Sequence, residues 1–162
     1  MFTISEKTKA FITKEVSRYE TKRSAIIPCL FELQKDNQGW INNDCIESLS
    51  QFMNIPSKDI NEVFHFYTMF NKQSVGNFHI QVCCNISCHM NGGLDLFQVL
   101  SDKFNIKPQQ VSKEGLAISK VECLGSCGTA PMMQVNEKYY ENLTKEKAIQ
   151  LVNDLVASKK QN

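Results

Sequence analysis

The chain has 162 residues, 42% hydrophobic and 22% charged, with a net charge of +1 and a pI of about 7.5. This is enough for one substantial domain, or for a smaller domain with a helical extension, and we favour the second. The near-neutral balance supplies no basic field for nucleic acid or an anionic membrane surface, and no apolar run reaches the ~18 residues of a membrane span.

Met1 to Glu20 carries scattered charges, Glu6 and Glu15 among them. It has neither the apolar block of a signal peptide nor the acid-poor character of a transit peptide, which predicts a cytoplasmic protein. Thr3-x-x-Glu6 can serve as a capping box, and Phe11, Ile12, Val16 and Tyr19 then recur at helical spacing, predicting a first helix to about Glu20. A second helix starts from Ser24 with Ile27, Leu30 and Phe31, tolerates Pro28 near its start and stops at Gly39, with Trp40 packing in the crossing. Asp44-x-x-Glu47 opens a third, lined by Cys45, Ile46, Leu49, Phe52 and Met53 and broken at Ile55-Pro56. Ser57 caps a fourth, on which Ile60, Val63, Phe64 and Tyr67 share a face while Phe66, Met69 and Phe70 fall partly on another. Cys29, Cys45 and His65 have no partner ligands near them in sequence. The cysteines read as small core residues and the histidine as structural or solvated, so this half serves scaffolding or docking.

Asn71 to Asn77 reads as a linker. Phe78, Ile80 and Val82 then alternate with His79 and Gln81 as in a half-buried strand that delivers Cys83 to its end. Cys88 follows in a loop, and after Gly92-Gly93 the positions Leu94, Phe97, Leu100 and Phe104 mark a helix that stops near Lys107-Pro108. A second strand over Leu116 to Glu122 ends at Cys123, and Leu124-Gly125-Ser126-Cys127-Gly128 forms a compact loop whose glycines leave room for a close backbone approach. A hairpin about Asn136-Glu137 and a helix capped by Thr144, with Ala148, Leu151, Val152 and Leu155 covering the sheet, complete the chain. Lys159-Lys160 reads as a frayed, solvated end.

The chemistry lies in Cys83, Cys88, Cys123 and Cys127, which form C-x4-C, thirty-four residues, then C-x3-C. Seven cysteines make an odd number for a disulfide framework, so reduced, metal-binding thiols are expected. Thiolates suit both zinc and iron-sulfur clusters, and the spacing alone leaves both open; the plant-type ferredoxin order shares only the first interval.

The stretch around Val82-Cys83, Ser87-Cys88 and Gly92, followed by Val121 to Asn136 with Cys123-Leu124-Gly125-Ser126-Cys127-Gly128-Thr129-Ala130-Pro131, closely resembles the E, or 24-kDa, subunits of NADH:quinone oxidoreductase, respiratory complex I. Ser24 to Pro28, Gln38-Gly39-Trp40-Ile41 and Val63 to Phe70 look like that family's helical signatures, so the resemblance covers nearly the whole chain. It implies an α+β protein: an N-terminal helical bundle over residues 1–75 that docks, then a thioredoxin-like α/β ferredoxin domain over residues 76–162. It implies one 2Fe-2S cluster ligated by Cys83, Cys88, Cys123 and Cys127. It further implies two partners, a flavoprotein subunit that binds FMN and NADH and a neighbouring iron-sulfur subunit, in a complex peripheral to the cytoplasmic side of a bacterial membrane, or on the matrix side for an organellar form. In that family electrons pass on to quinone with proton translocation, and this cluster lies to the side of the main path.

Two features depart from the pattern. Cys84 stands beside the first ligand, and Lys113-Glu114-Gly115-Leu116 lacks the usual Asp-Gly pair. Cys84 could replace Cys83 only by turning the other strand face to the metal, and His89 as a ligand finds no second histidine at the other loop. If the sulfurs hold a cluster, amides in 84–88 and 124–128 and the helix start near Gly92-Gly93 are expected to face them. The alternatives are the equivalent subunit of an NAD-dependent hydrogenase or formate dehydrogenase and, from another class, a zinc-stabilised binding module without a redox role. A thiol-disulfide oxidoreductase is disfavoured because no C-x-x-C opens a helix.

Overall fold

The computed structural model describes residues 2–159; Lys160 and the Lys159 side chain lie outside that description. The chain divides between Ser74 and Val75 into two compact units. The first holds α1 (Glu6–Arg18), α2 (Ile26–Asp36), α3 (Asn43–Met53) and α4 (Ser57–Phe66), with a 3-10 turn at Lys22–Ala25. Among the described residues no helix is long and apolar enough to cross a membrane.

The helices form where the apolar spacing predicts, but their starts differ. Ser5, not Thr3, caps α1 by accepting the Thr8 amide at 3.3 Å. Asn42, not Asp44, caps α3 by accepting the Cys45 amide at 2.9 Å. Ser57 is the first helical residue of α4, whose N-cap position is taken by Pro56 with no side-chain bond. These caps satisfy amides that have no partner inside the helix, so one short polar side chain settles where the helix begins. At the other end of α3, Asn54 adopts a φ of 51° and Lys22 Nζ donates to the Met53 carbonyl at 2.9 Å.

Ile12, Ile26, Leu30, Leu33, Leu49 and Ile60 are each at most 1% exposed and meet in one core with Cys29 and Cys45. Burial pushes the Cys29 thiol up to about 12 and raises that of Cys45 as well, so both stay protonated as small core residues. Trp40 is only half-buried, and its neighbour Ile41 fills the core instead. Phe70 also departs from expectation: it is 2% exposed, with its ring 5.2 Å from that of Phe31 and 6.4 Å from that of Phe64. Phe66 is left 77% exposed.

The second unit is built on β1 (Phe78–Cys83), β2 (Leu116–Val121), β3 (Met133–Val135) and β4 (Lys138–Tyr140), in the order β2-β1-β3-β4. Between the strands come α5 (Ile86–Met90) and α6 (Gly93–Lys103), and α7 (Lys145–Lys159) closes the unit. β1 pairs parallel with β2 from Phe78 opposite Leu116 to Cys83 opposite Val121, and antiparallel with β3. Ile80, Val82 and Ile118 of the sheet meet Leu96 and Leu100 of α6 and Ala148 and Val152 of α7 in a second core. Thr144 caps α7 as expected, its hydroxyl accepting the Lys147 amide at 3.2 Å. Asn136, with a φ of 54°, supplies the left-handed residue that a glycine usually provides between β3 and β4.

The polar alternation expected along β1 does not hold. His79 is 7% exposed, and its Nε2 lies 2.9 Å from Ser119 Oγ on β2. β1 is further tied to the hairpin turn, where Asn136 Oδ1 accepts the His79 amide at 2.9 Å.

Two measurements test these packing arguments on the apoprotein. A Cβ on Gly93 would lie 2.6 Å from the Cys83 carbonyl oxygen and 2.9 Å from that of Cys88, both backbone atoms. Gly93→Ala should therefore lower the unfolding free energy by about 1–3 kcal/mol, read from the urea midpoint. Burial also depresses the His79 pKa to about 4 from 6.5. The unfolded chain then binds the proton more tightly, so this contribution, on the order of 3 kcal/mol, is complete above pH ~6.5 and is lost as pH falls toward 4. His79→Gln should flatten the pH dependence of the urea midpoint across that window.

Candidate metal centre

Both ligand segments start from the same end of the sheet because the β1–β2 register is parallel. Cys83 closes β1 opposite Val121, and the next amide, Cys84 N–H, donates to the Val121 carbonyl at 3.0 Å. Beyond that point the chain turns away from each strand, over 84–92 and over 122–131. Cys88 is not in a loop: it sits on the short α5, which Asn85 caps through its own side chain on the Ile86 amide at 2.8 Å. β2 stops at Val121, so Cys123 lies two residues beyond the strand.

The four cysteines form two unlike pairs. Cys83 and Cys88 are each 2% exposed and pack with Met132, flanked by Leu124 and Ala130. Burial, together with a hydrogen bond to the Cys83 thiol, pushes the Cys88 thiol up to about 11, and Cys88 also feels the charge of Cys127. Cys123 and Cys127 are exposed, with their sulfurs 3.4 Å apart. Two thiolates on one tetrahedral metal with bonds of ~2.3 Å stand roughly 3.8 Å apart, so this pair needs to open by only a few tenths of an ångström. The Gly125 amide, 3.4 Å from Cys123 Sγ, lowers that thiol's pKa, whereas the thiol and charge of Cys123 raise that of Cys127. Among the described residues no three His, Cys, Asp or Glu side chains stand close enough together to hold a metal ion.

By its chemistry the donor set suits a thiolate-held metal group: four soft donors in two pairs, each pair feeling the other's charge, with the Gly125 amide directed at sulfur. The amides that meet sulfur come from Gly125, from Cys127 itself and from Met132, which serves Cys88. Met132 lies outside the segments where the sequence places them. A Cβ at Gly125 or Gly128 would meet no atom within 4 Å, so crowding by the chain's own atoms does not explain either glycine; Gly125 is accounted for by its φ of 83°.

Cys84 is not gathered with the four. It packs against the sheet-helix core, its Sγ 3.5 Å from the Val82 carbonyl oxygen, and burial raises its pKa. With His89 it lines an open cleft of about 370 Å³ completed by Asn85, Ile86, Met90 and Glu122. Two hydrogen bonds that the cysteine spacing did not suggest join the ligand segments: Ser87 Oγ to the Cys127 carbonyl at 2.9 Å and Asn85 Nδ2 to Glu122 at 2.5 Å.

The thioredoxin-like 2Fe-2S ferredoxin family matches residues 12–156. The E subunit of NADH-quinone oxidoreductase from Rickettsia bellii is 37% identical over 157 residues, covering 95% of this chain and 94% of the relative. The second subunit of the NADH-quinone oxidoreductase from Thermus thermophilus is 35% identical over 154 residues, covering 93% and 84%. Among solved structures, the NAD+-reducing NiFe hydrogenase in its air-oxidised state superposes with a TM-score of 0.65 at 19% identity, over 80% of this chain but only 23% of the hydrogenase chain. That likeness bears on the fold. With two cysteine pairs placed beyond one end of its sheet, the chain is shown by the family match and by its relatives to belong to the thioredoxin-like 2Fe-2S ferredoxins, in the family of the E subunits of NADH-quinone oxidoreductase.

Proposed function

We propose that this chain is the one-electron carrier of the NADH-oxidising module of an NADH:quinone oxidoreductase, with Cys83, Cys88, Cys123 and Cys127 as the ligands of its 2Fe-2S cluster. The observation that supports the reading is the placement of two cysteine pairs, Cys83 with Cys88 and Cys123 with Cys127, beyond the same end of two parallel-paired strands. In the whole complex, NADH gives a hydride to the FMN of a partner flavoprotein subunit. Single electrons then move between that flavin and this subunit, while a neighbouring iron-sulfur subunit leads toward quinone and the overall reaction drives proton translocation. The complex sits peripherally on the cytoplasmic side of a bacterial membrane, or on the matrix side in an organellar form.

When bound, a 2Fe-2S group with four thiolates supplies one-electron chemistry, its total charge passing from about −2 to about −3. The chain's own residues deal with that added charge. Cys83 and Cys88 hold one side within the apolar packing of Met132, and the amides of Met132, Gly125 and Cys127 offer positive ends of dipoles to sulfur. The exposed pair, Cys123 and Cys127, is the side on which an electron has the shortest route in or out. The residue 1–75 domain serves docking, with the exposed Phe66 as one apolar contact; in the cluster-bearing domain, Ile86 and Met90, 76% and 80% exposed, offer two more beside the metal centre. The full-length similarity to the E subunits favours this host over a hydrogenase, whose likeness at 19% identity concerns fold alone.

Anaerobically purified protein should contain about two iron and two sulfide per chain and give a single spin-half EPR signal only after dithionite reduction; one zinc and no signal would replace this reading with the structural module. Alanine at Cys83, Cys88, Cys123 or Cys127 should abolish or sharply reduce cluster content. Cys84→Ala should retain it, and loss of the cluster in that variant alone would move the first ligand to Cys84.

A further inference from the structure

The loop that carries Cys127 has little apolar packing of its own, since Leu124 and Ala130 are the partly buried contacts it gives to the cluster around Met132. What holds it is a row of hydrogen bonds from β4 and the segment just after it. Tyr139 Oη donates to the Leu124 carbonyl at 2.9 Å. Two residues on, just past the end of β4, Glu141 accepts from both hydroxyls of the loop: from Thr129 at 2.7 Å and from Ser126, with the same oxygen, Oε1, serving both. Those hydroxyls are 2.6 Å from each other, and the Ser126 carbonyl, 3.1 Å from the Thr129 hydroxyl, is the longer alternative acceptor for the same proton. Backbone bonds continue the row, Asn142 N–H to the Thr129 carbonyl at 2.8 Å and Leu143 N–H to the Pro131 carbonyl at 3.0 Å.

Resting on the ligand assignment above, we propose that Glu141 is a positioning residue of the metal centre: through Ser126 and Thr129 it fixes the turn on either side of Cys127 and so sets where the exposed pair of thiolates points. Two features separate it from a carboxylate that is merely solvated. Ser126 and Thr129 bracket Cys127, so a single carboxylate spans the ligand. Hydrogen bonds to a charged acceptor are roughly twice as strong as neutral ones, and two converge on one oxygen. The carboxylate has a second effect. It adds fixed negative charge beside a group that becomes more negative on reduction, which opposes the gain of an electron.

The two effects separate in two variants. Glu141→Gln keeps an acceptor oxygen for the hydroxyls but removes the charge; Glu141→Ala removes both. In the full chain carrying its cluster, iron release to a chelator should be about tenfold faster for Glu141→Ala, corresponding to the loss of a charge-assisted hydrogen bond, and should return close to the wild-type rate for Glu141→Gln. The midpoint potential should rise in Glu141→Gln, with its EPR line shape kept, whereas Glu141→Ala should also broaden or shift that line shape. Ser126→Ala, which leaves the charge in place, should speed iron release without raising the potential; it carries the test should Glu141→Ala fail to fold. Wild-type release rate, potential and line shape in all three variants would overturn the proposal while leaving the ligand assignment intact. A wild-type chain that assembles no cluster would remove both.

Discussion

The parallel pairing of β1 with β2 is the constraint on which the metal centre depends. Six residue pairs, from Phe78 with Leu116 to Cys83 with Val121, fix the two strands in direction and register. Both strands leave the sheet at the same end, with Cys83 at the last pair and Cys123 two residues beyond it. Nothing local to either cysteine motif brings them together; thirty-four residues separate Cys88 from Cys123. The helix between them, α6, packs on β1 and β2 through Leu96 and Leu100, so the crossover that parallel pairing requires is also the core that stabilises the pairing.

The centre is built from parts of different stiffness. Cys83 and Cys88 are anchored by close packing, down to the contact that excludes a side chain from Gly93. Cys123 and Cys127 stand on an exposed loop held mainly by hydrogen bonds, from Ser87, Tyr139 and Glu141. One wall is apolar and dry, the other polar and accessible. The proposed electron carrier would use both, since burial protects metal-thiolate bonds while exposure on one side keeps a transfer distance short.

Much of this was legible in the residues. The four thiols stand out by spacing, the helices of the first unit by apolar repeats, and the strand-to-ligand order by alternation that ends at a cysteine. What stayed hidden was set by contacts between residues distant in sequence. The His79 side chain reads as solvent-facing until β2 places Ser119 beside it. Phe70 reads as surface until Phe31, thirty-nine residues earlier, is found against it. Met132 and Glu141 carry no motif, since a backbone amide is invisible in a sequence and a glutamate in a loop is usually only solvated. Helix starts fail for a different reason: Thr3 and Ser5 are both capable caps, as are Asn42 and Asp44, and choosing between neighbours requires a geometry that a one-dimensional pattern does not contain.

The register also determines where the chain can grow. One residue inserted within β1 or β2 turns every later side chain of that strand to the opposite face and carries its ligand segment away from the other. The exposed stretch 107–111, between α6 and β2, is bound by no such rule, because the strand that follows re-enters the ladder at Leu116 whatever length precedes it. Length changes between the cysteine pairs should therefore be tolerated in the stretch ahead of β2, while the number of residues from the strand ladder to each cysteine stays fixed. For such a centre the informative length is the distance from the last strand pairing to the ligand, and the separation of the two cysteine motifs is free to vary.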